Sequence, residues 1–239
     1  MRCNLYYFRI VISERDTIFM MKRMMLLLLC ISSLSLTAQN GGLKDPEARK
    51  ILENLSKEYN SYSSMEVIFD LVLDLPEQKP ETQKGKVIQM GEMYILDLQD
   101  QGIYCDGNYV WLHLRDNNEV QINDIDEDAE DSFLTPRDMM TIYESEDYEY
   151  AIVGKENKGN ITLTNIEFKP TDPDSEYSKL RISVDRKKNR MSQMEVFSKD
   201  GSRYTLNIRE ILSNKTYLNS IFTFDASKYP GIHVEDLRL

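Results

Sequence analysis

The sequence predicts an α+β fold built mainly from an antiparallel sheet, sandwich or barrel. Three observations carry this. Short runs alternate apolar and polar residues at period two, turn pairs such as Asp106-Gly107 and Asp200-Gly201 separate them at hairpin spacing, and only two stretches of the mature part show helical signals.

The chain opens on a segment that reads as an address. Lys22 and Arg23 precede "MMLLLLCISSLSLTA", an apolar run of signal-peptide length that ends in small and polar residues at Ala38. Cleavage there would leave Gln39 first. The nineteen residues before Met20 carry Glu14 and Asp16 and are unusual for such a peptide, so Met20, Met21 or Met24 is the expected start. Cys30 is not expected to carry lipid, because Leu28 and Leu29 stand where a lipidation site needs small residues. The run is also shorter than the ~20 residues of a membrane span. Residues 39–239 form one expected domain, in which Cys105 is the only cysteine, so no disulfide can form within it.

The first 38 residues hold five of the 29 Lys/Arg and two of the 40 Asp/Glu, so their removal takes the formal net charge from −11 to −14. That surface repels nucleic-acid phosphate and anionic headgroups. No phosphate loop or basic aromatic patch offsets it.

The elements follow in order. "DPEARKILENLSKEY" reads as a helix: Asp45 and Pro46 open it, and Ile51, Leu52, Leu55 and Tyr59 share one face opposite Glu47, Lys50, Glu53 and Lys57. "MEVIFDLVLDL" switches to period two, with Met65, Val67, Phe69, Leu71 and Leu73 on one side. "KVIQM", "MYILDL" and "IYCDGNYVWLHL" continue as strands, the last folded at Asp106-Gly107. The central stretch "LTPRDMMTIYES" reads as the second helix, over 136–144: Thr135 caps it, Pro136 suits the first position, and Asp138 complements the N-terminal dipole. Met139, Met140, Ile142 and Tyr143 load one side of it. "YEYAIVG", "NITLTNIEFKP", "YSKLRISVD", "MSQMEVFSKDGSRYTLNIREIL" and "SIFTFD" read as further strands. On composition and spacing alone, the default reading is that the helices and the apolar sheet face close on each other as an α+β core.

Little in the sequence suggests chemistry. "NDIDEDAEDS" spaces Asp124, Asp126 and Asp128 like a calcium loop, but Ala129 and Thr135 occupy the positions that need glycine and a bidentate glutamate. His113 and His233 have no metal partners at ligand spacing, and no glycine-flanked serine elbow occurs. No enzyme, metal or cofactor is expected.

Several motifs, in order, resemble the LolA family, periplasmic carriers that take lipoproteins to the outer membrane of Gram-negative bacteria. They are "ILENLSKEYNSYSSMEVIFDL" with Phe69, "YCDGNYVWLHLRDNNEVQI", "SFLTPRDMM" and "SIFTFDASKYPGIHVEDLR", which together span nearly all of residues 45–238. The resemblance implies an incomplete, strongly curved antiparallel β-barrel, a half-barrel, with a helical lid over an apolar cavity for acyl chains. It implies a ligand-binding set of Leu55, Tyr59, Val67, Phe69, Leu71, Tyr94, Leu96 and Trp111, with Met139, Met140, Ile142 and Tyr143 as the underside of the lid. Implied partners are acylated lipoproteins, an inner-membrane lipoprotein-releasing transporter and an outer-membrane receptor, met by a monomer that touches membranes transiently. One departure stands out: where the family carries an arginine before a proline that ties lid to barrel, this chain has "QMGE", Gln89 to Glu92. The same architecture also serves envelope-stress sensing or carriage of another amphiphile such as a glycolipid. The sensors carry a second domain that has no counterpart before Leu239, so a carrier is the expectation.

Overall fold

The computed structural model describes residues 43–125 and 142–238. The expected signal peptide, the acidic loop from Asp126, and Thr135, Pro136, Asp138, Met139 and Met140 of the expected second helix lie outside them.

Helix α1 covers Pro46–Asn60. Asp45 caps it by accepting from the Glu47 and Ala48 amides at 2.8 and 3.3 Å. Its other carboxylate oxygen accepts from the Ile152 amide at 3.1 Å, which ties the helix start to the sheet. The anticipated stripe is the buried one: Ala48, Ile51, Leu52, Leu55 and Tyr59.

Twelve strands make a single sheet: β1 (Met65–Asp74), β2 (Glu81–Met90), β3 (Met93–Asp97), β4 (Gln101–Cys105), β5 (Tyr109–Leu114), β6 (Glu119–Asp124), β7 (Tyr148–Lys158), β8 (Ile161–Pro170), β9 (Tyr177–Asp185), β10 (Arg190–Ser198), β11 (Arg203–Ser213) and β12 (His233–Asp236). Their order is β12-β6-β5-β4-β3-β2-β1-β11-β10-β9-β8-β7. β12 and β7 are not joined, so the sheet is open, as an incomplete barrel requires. Every named pairing is antiparallel except β12 on β6, which is parallel. This exception departs from the all-antiparallel expectation and follows from the long return of residues 214–232 between β11 and β12. At the Asp106-Gly107 turn the Asp106 carboxylate accepts from the Asn108 and Tyr109 amides, and Gly107 sits at φ +91, where a side chain would be strained.

One sequence expectation is corrected here. "SIFTFD" is not a strand: Asn219–Ile221 form a 3₁₀ turn and no ladder follows, although Phe222 and Phe224 are buried. Alternation reported which side chains are buried but not whether a neighbouring strand pairs with the backbone. In the central segment the described residues Ile142–Glu144 form a 3₁₀ turn.

The sheet carries apolar clusters on both faces. On one face, α1 and Tyr143 join a large cluster with Val67, Phe69, Tyr150, Ile166, Phe168, Ile182 and Met194. On the other, the segment after β11 lays Phe222 against Ile88 and Ile95, and Phe224 against Trp111 and Val120.

Candidate functional site

Ladder register shows which residues share a face. From Val67 on β1, the pairings run to Ile211 on one side and to Val87, Leu96, Ile103 and Leu112 on the other, before reaching Gln121 on β6. This is one cross-strand row of six apolar residues, roughly 24 Å long at ~4.8 Å per strand. A neighbouring row runs Met65, Gln89, Tyr94, Cys105, Val110 and Asn123. Both rows lie on the α1 side of the sheet and end on a polar residue at β6, and the second also carries Gln89 on β2.

Burial along this face is uneven. Beneath α1, the side chains from β8 to β10 are buried: Ile166, Phe168, Leu180, Ile182, Met191 and Met194. Beyond it, Leu71, Leu96, Ile103, Val110, Leu112, Leu206 and Ile208 are only partly buried. A continuous apolar surface therefore emerges from under the helix and crosses β11 and β1 to β5. That is more contiguous apolar area than an isolated surface leucine and is the kind of feature that marks a binding face.

Phe69 stands at the border between the two regions. It is buried and pairs with Gly85 on β2. A Cβ on Gly85 would meet two Phe69 ring atoms at 2.3 Å and Leu98 Cδ2 at 2.9 Å. The ring thus occupies the space that any other residue at position 85 would fill. At the far end of α1, the Tyr59 hydroxyl accepts from the Met191 amide at 3.0 Å, and burial pushes its pKa up to about 12.

The residues expected from the sequence divide clearly. Leu55, Tyr59, Val67, Phe69 and Tyr143 fall in one buried cluster, with Leu71, Leu96 and Ile142 packed against it. Tyr94 shares their face and is partly buried. Trp111 does not join them. It pairs with Tyr104 and Ile122 on the opposite face, buried beneath Phe224. The reason lies in β5, "YVWLHL", where both alternate sets are largely apolar or aromatic, so periodicity gave no check on the resemblance that implied tryptophan. Leu112, its neighbour on the other side, is the residue that shares the face with Leu96, and Ile103, Leu206 and Ile208 were missed with it. Counting ladder positions outward from Val67 reaches Ile103 and Leu112, and from Phe69 and Leu71 it reaches Ile208 and Leu206. Met139 and Met140 are outside the described residues.

The place of the family's arginine and proline is a tight turn. Met90 pairs with Met93, Gly91 takes φ +62, and the Gln89 side-chain Nε2 donates to the Gly91 carbonyl at 3.4 Å. Among the described residues, no three His, Cys, Asp or Glu side chains are placed to hold a metal ion, and no helix is long and apolar enough to cross a membrane. A shallow cleft of about 350 Å³ lined by Ile68, Asp70, Lys84 and Arg209 opens at the β1–β11 bulge, where Asp70 and Arg209 pair with each other.

An open, largely antiparallel sheet with one helix against an apolar face has the form of an incomplete barrel. Residues 97–225, more than half of the chain, match the family model of the outer membrane lipoprotein carrier protein LolA, and the chain belongs to the LolA family. It is similar in structure to an uncharacterized conserved protein from Thermus thermophilus, at 9% identity and a TM-score of 0.53 over 80% of this chain and 99% of the other. That likeness shows a shared fold. A LolA superfamily protein from Nitrosomonas europaea aligns at 14% identity and a TM-score of 0.39, over 74% and 97% of the two chains. MucB in its complex with MucA from Pseudomonas aeruginosa aligns at 10% identity and 0.38, over 75% and 62%. No curated protein matches the sequence.

Proposed function

We propose that this protein is a periplasmic carrier that binds the acyl chains of lipoproteins on the α1 side of its sheet and moves them towards the outer membrane. The observation that carries the reading is the apolar row from Ile211 to Leu112, buried at its helix end and partly exposed across β3 to β5. Membership of the LolA family supports the same reading.

The energetics fit the task. An acyl chain of about fifteen methylenes forgoes roughly 12 kcal/mol in water at ~0.8 kcal/mol per methylene, so a carrier must cover it with apolar surface. On this reading, residues 39–239 are one exported domain and the central segment with Met139 and Met140 is the lid over the open part of the face. Methionine suits that place because its flexible thioether repacks around chains of varying shape. Acylated lipoproteins are the cargo, an inner-membrane transporter loads it, and an outer-membrane receptor takes it. The Gln89–Glu92 turn lacks the family's latch, so release depends on other contacts.

The test is uptake of a fluorescent fatty-acyl probe by purified protein. Leu112→Asp places a charge on the partly exposed apolar row, and Thr205→Asp places one on the opposite face of β11 as a control. The reading expects uptake to fall at least tenfold in the first and to persist in the second, with similar melting temperatures. Equal uptake in both, or none in the unmodified protein, would overturn it.

A further inference from the structure

The chain between β11 and β12 crosses the face of the sheet opposite α1. Tyr217 and Ile221 pack with Phe222 over Ile88 and Ile95, while Ala226, Tyr229 and Ile232 pack with Phe224 over Trp111, Val120 and Ile122. β12 then pairs with β6. Within this layer, beside the hydroxyls of Tyr104, Tyr217 and Tyr229, lies a histidine that the proposed carrier role does not use. His113 on β5 is 3% exposed, and its Nδ1 has no hydrogen-bond partner. Its ring centroid lies 4.9 Å from that of Phe224 and 4.6 Å from that of Tyr229, and Phe224 stacks on Tyr229 at 5.0 Å. Gly102 of β4 and Val120 of β6 flank it in the ladder, and neither ionises. The charged group acting on it is Arg115, in the turn after β5, whose guanidinium pairs with Asp97 at 2.5 Å.

We propose that residues 217–232 form an acid-released strap whose sensor is His113. A proton on the imidazole creates a cation with no acceptor for its Nδ1–H, held among apolar rings near a like charge. Opening the strap lets water reach it. Burial first, and Arg115 second, hold the His113 pKa below its ordinary value, so the closed form binds the proton less well than the open one. By linkage, the opening equilibrium rises as pH falls below about 6.5, by up to about tenfold per pH unit, until the closed form is itself protonated. The strap's carboxylate anchors do not compete in that window. Glu66, which accepts from Tyr217, and Asp225, which accepts from Ser227, both have lowered pKa values, and Asp236 is lowered to about 2.

The protein carries its own reporter, because Trp111 is the only tryptophan and is buried under Phe224. The experiment follows Trp111 emission and amide hydrogen exchange of residues 217–237, corrected for intrinsic rate, between pH 7.5 and 5, beside an NMR titration of the two histidines. The proposal expects a His113 midpoint below 6.5, red-shifted emission and lost strap protection in acid, with α1 still protected. His113→Phe should hold both readouts flat. A His113 midpoint at or above 6.5 would overturn it, as would unchanged protection in acid or the same loss in His113→Phe. Should that variant fail to fold, the midpoint and the exchange pattern of the unmodified protein decide alone.

Discussion

Replacing Gly85 by alanine tests whether the Phe69 ring is fixed where the partly exposed apolar face meets the core. Gly85 lies in mid-strand without a positive φ, so its backbone accepts alanine. The conflict is with the neighbours: the new Cβ would lie 2.3 Å from two ring carbons of Phe69 and 2.9 Å from Leu98, far inside van der Waals contact. Phe69 is 3% exposed and Leu98 8%, so neither side chain can swing into water, and the strand or the ring must shift. Overpacking of this kind costs about 1–3 kcal/mol. Reduced freedom of the unfolded chain returns about 0.4–1 kcal/mol. The net loss is about 1–2 kcal/mol, or roughly 3–7 °C in melting temperature for a domain of this size. Urea unfolding of Gly85→Ala, Phe69→Leu and the double variant measures the coupling. Because leucine vacates the ring's place, the double variant should be more stable than the sum of the single losses by about 1 kcal/mol. A neutral or stabilising Gly85→Ala, or an additive cycle, would refute the argument.

Three further outcomes follow from particular contacts. Asp45→Ala removes the cap of α1 and the acceptor for the Ile152 amide, and should lower the melting temperature by a few degrees, whereas Asp45→Asn, which keeps a side-chain oxygen, should lose less. Glu66 has a lowered pKa, first through Tyr217 and then Lys215, so its stabilisation is present above about pH 4.5 and disappears as pH falls towards its folded value; Glu66→Gln should be less stable at pH 7 and show a shallower decline in acid unfolding. Intact mass of the exported protein should begin at Gln39 with no added lipid, and a form that keeps Cys30 with a diacylglyceryl addition would reject that processing.

Most of the fold was legible because local signals and the global structure agree. Helix α1 has its cap, its proline and its buried stripe in sequence, and β1 shows its buried side at every second residue as far as Phe69. The hairpins at Asp106-Gly107 and Asp200-Gly201 follow from turn chemistry. The parallel pairing of β12 was not legible, since four residues, His233 to Asp236, with exposed Val234 resemble any extended tail. What holds β12 in place is distant: the His233 amide donates to Asn118 and the Leu237 amide to Ile122.

The candidate site was legible on β1 and obscured on β5 for one physical reason. A strand with one polar face advertises its apolar side, and Glu66, Asp70 and Asp74 do this for β1. β5 is covered on one face by residues 224–232 and continues the apolar row on the other, so neither alternate set is polar and periodicity loses its meaning. The feature that hides the site in the sequence also bears on how it works. A strand with apolar side chains on both faces needs both faces covered, and on β5 the C-terminal segment supplies one cover while cargo or lid supplies the other in the proposed function. Loosening the strap would therefore expose Trp111 and Val120 without uncovering Leu112 directly, and any effect on acyl binding would have to pass through the backbone of β4 to β6. Acyl-probe affinity measured at pH 7.5 and pH 5 in wild type and His113→Phe separates the two covers. A change in affinity confined to wild type shows that they are coupled, whereas equal affinities in both proteins at both pH values, with the strap released in wild type, show that the sheet isolates one face from the other.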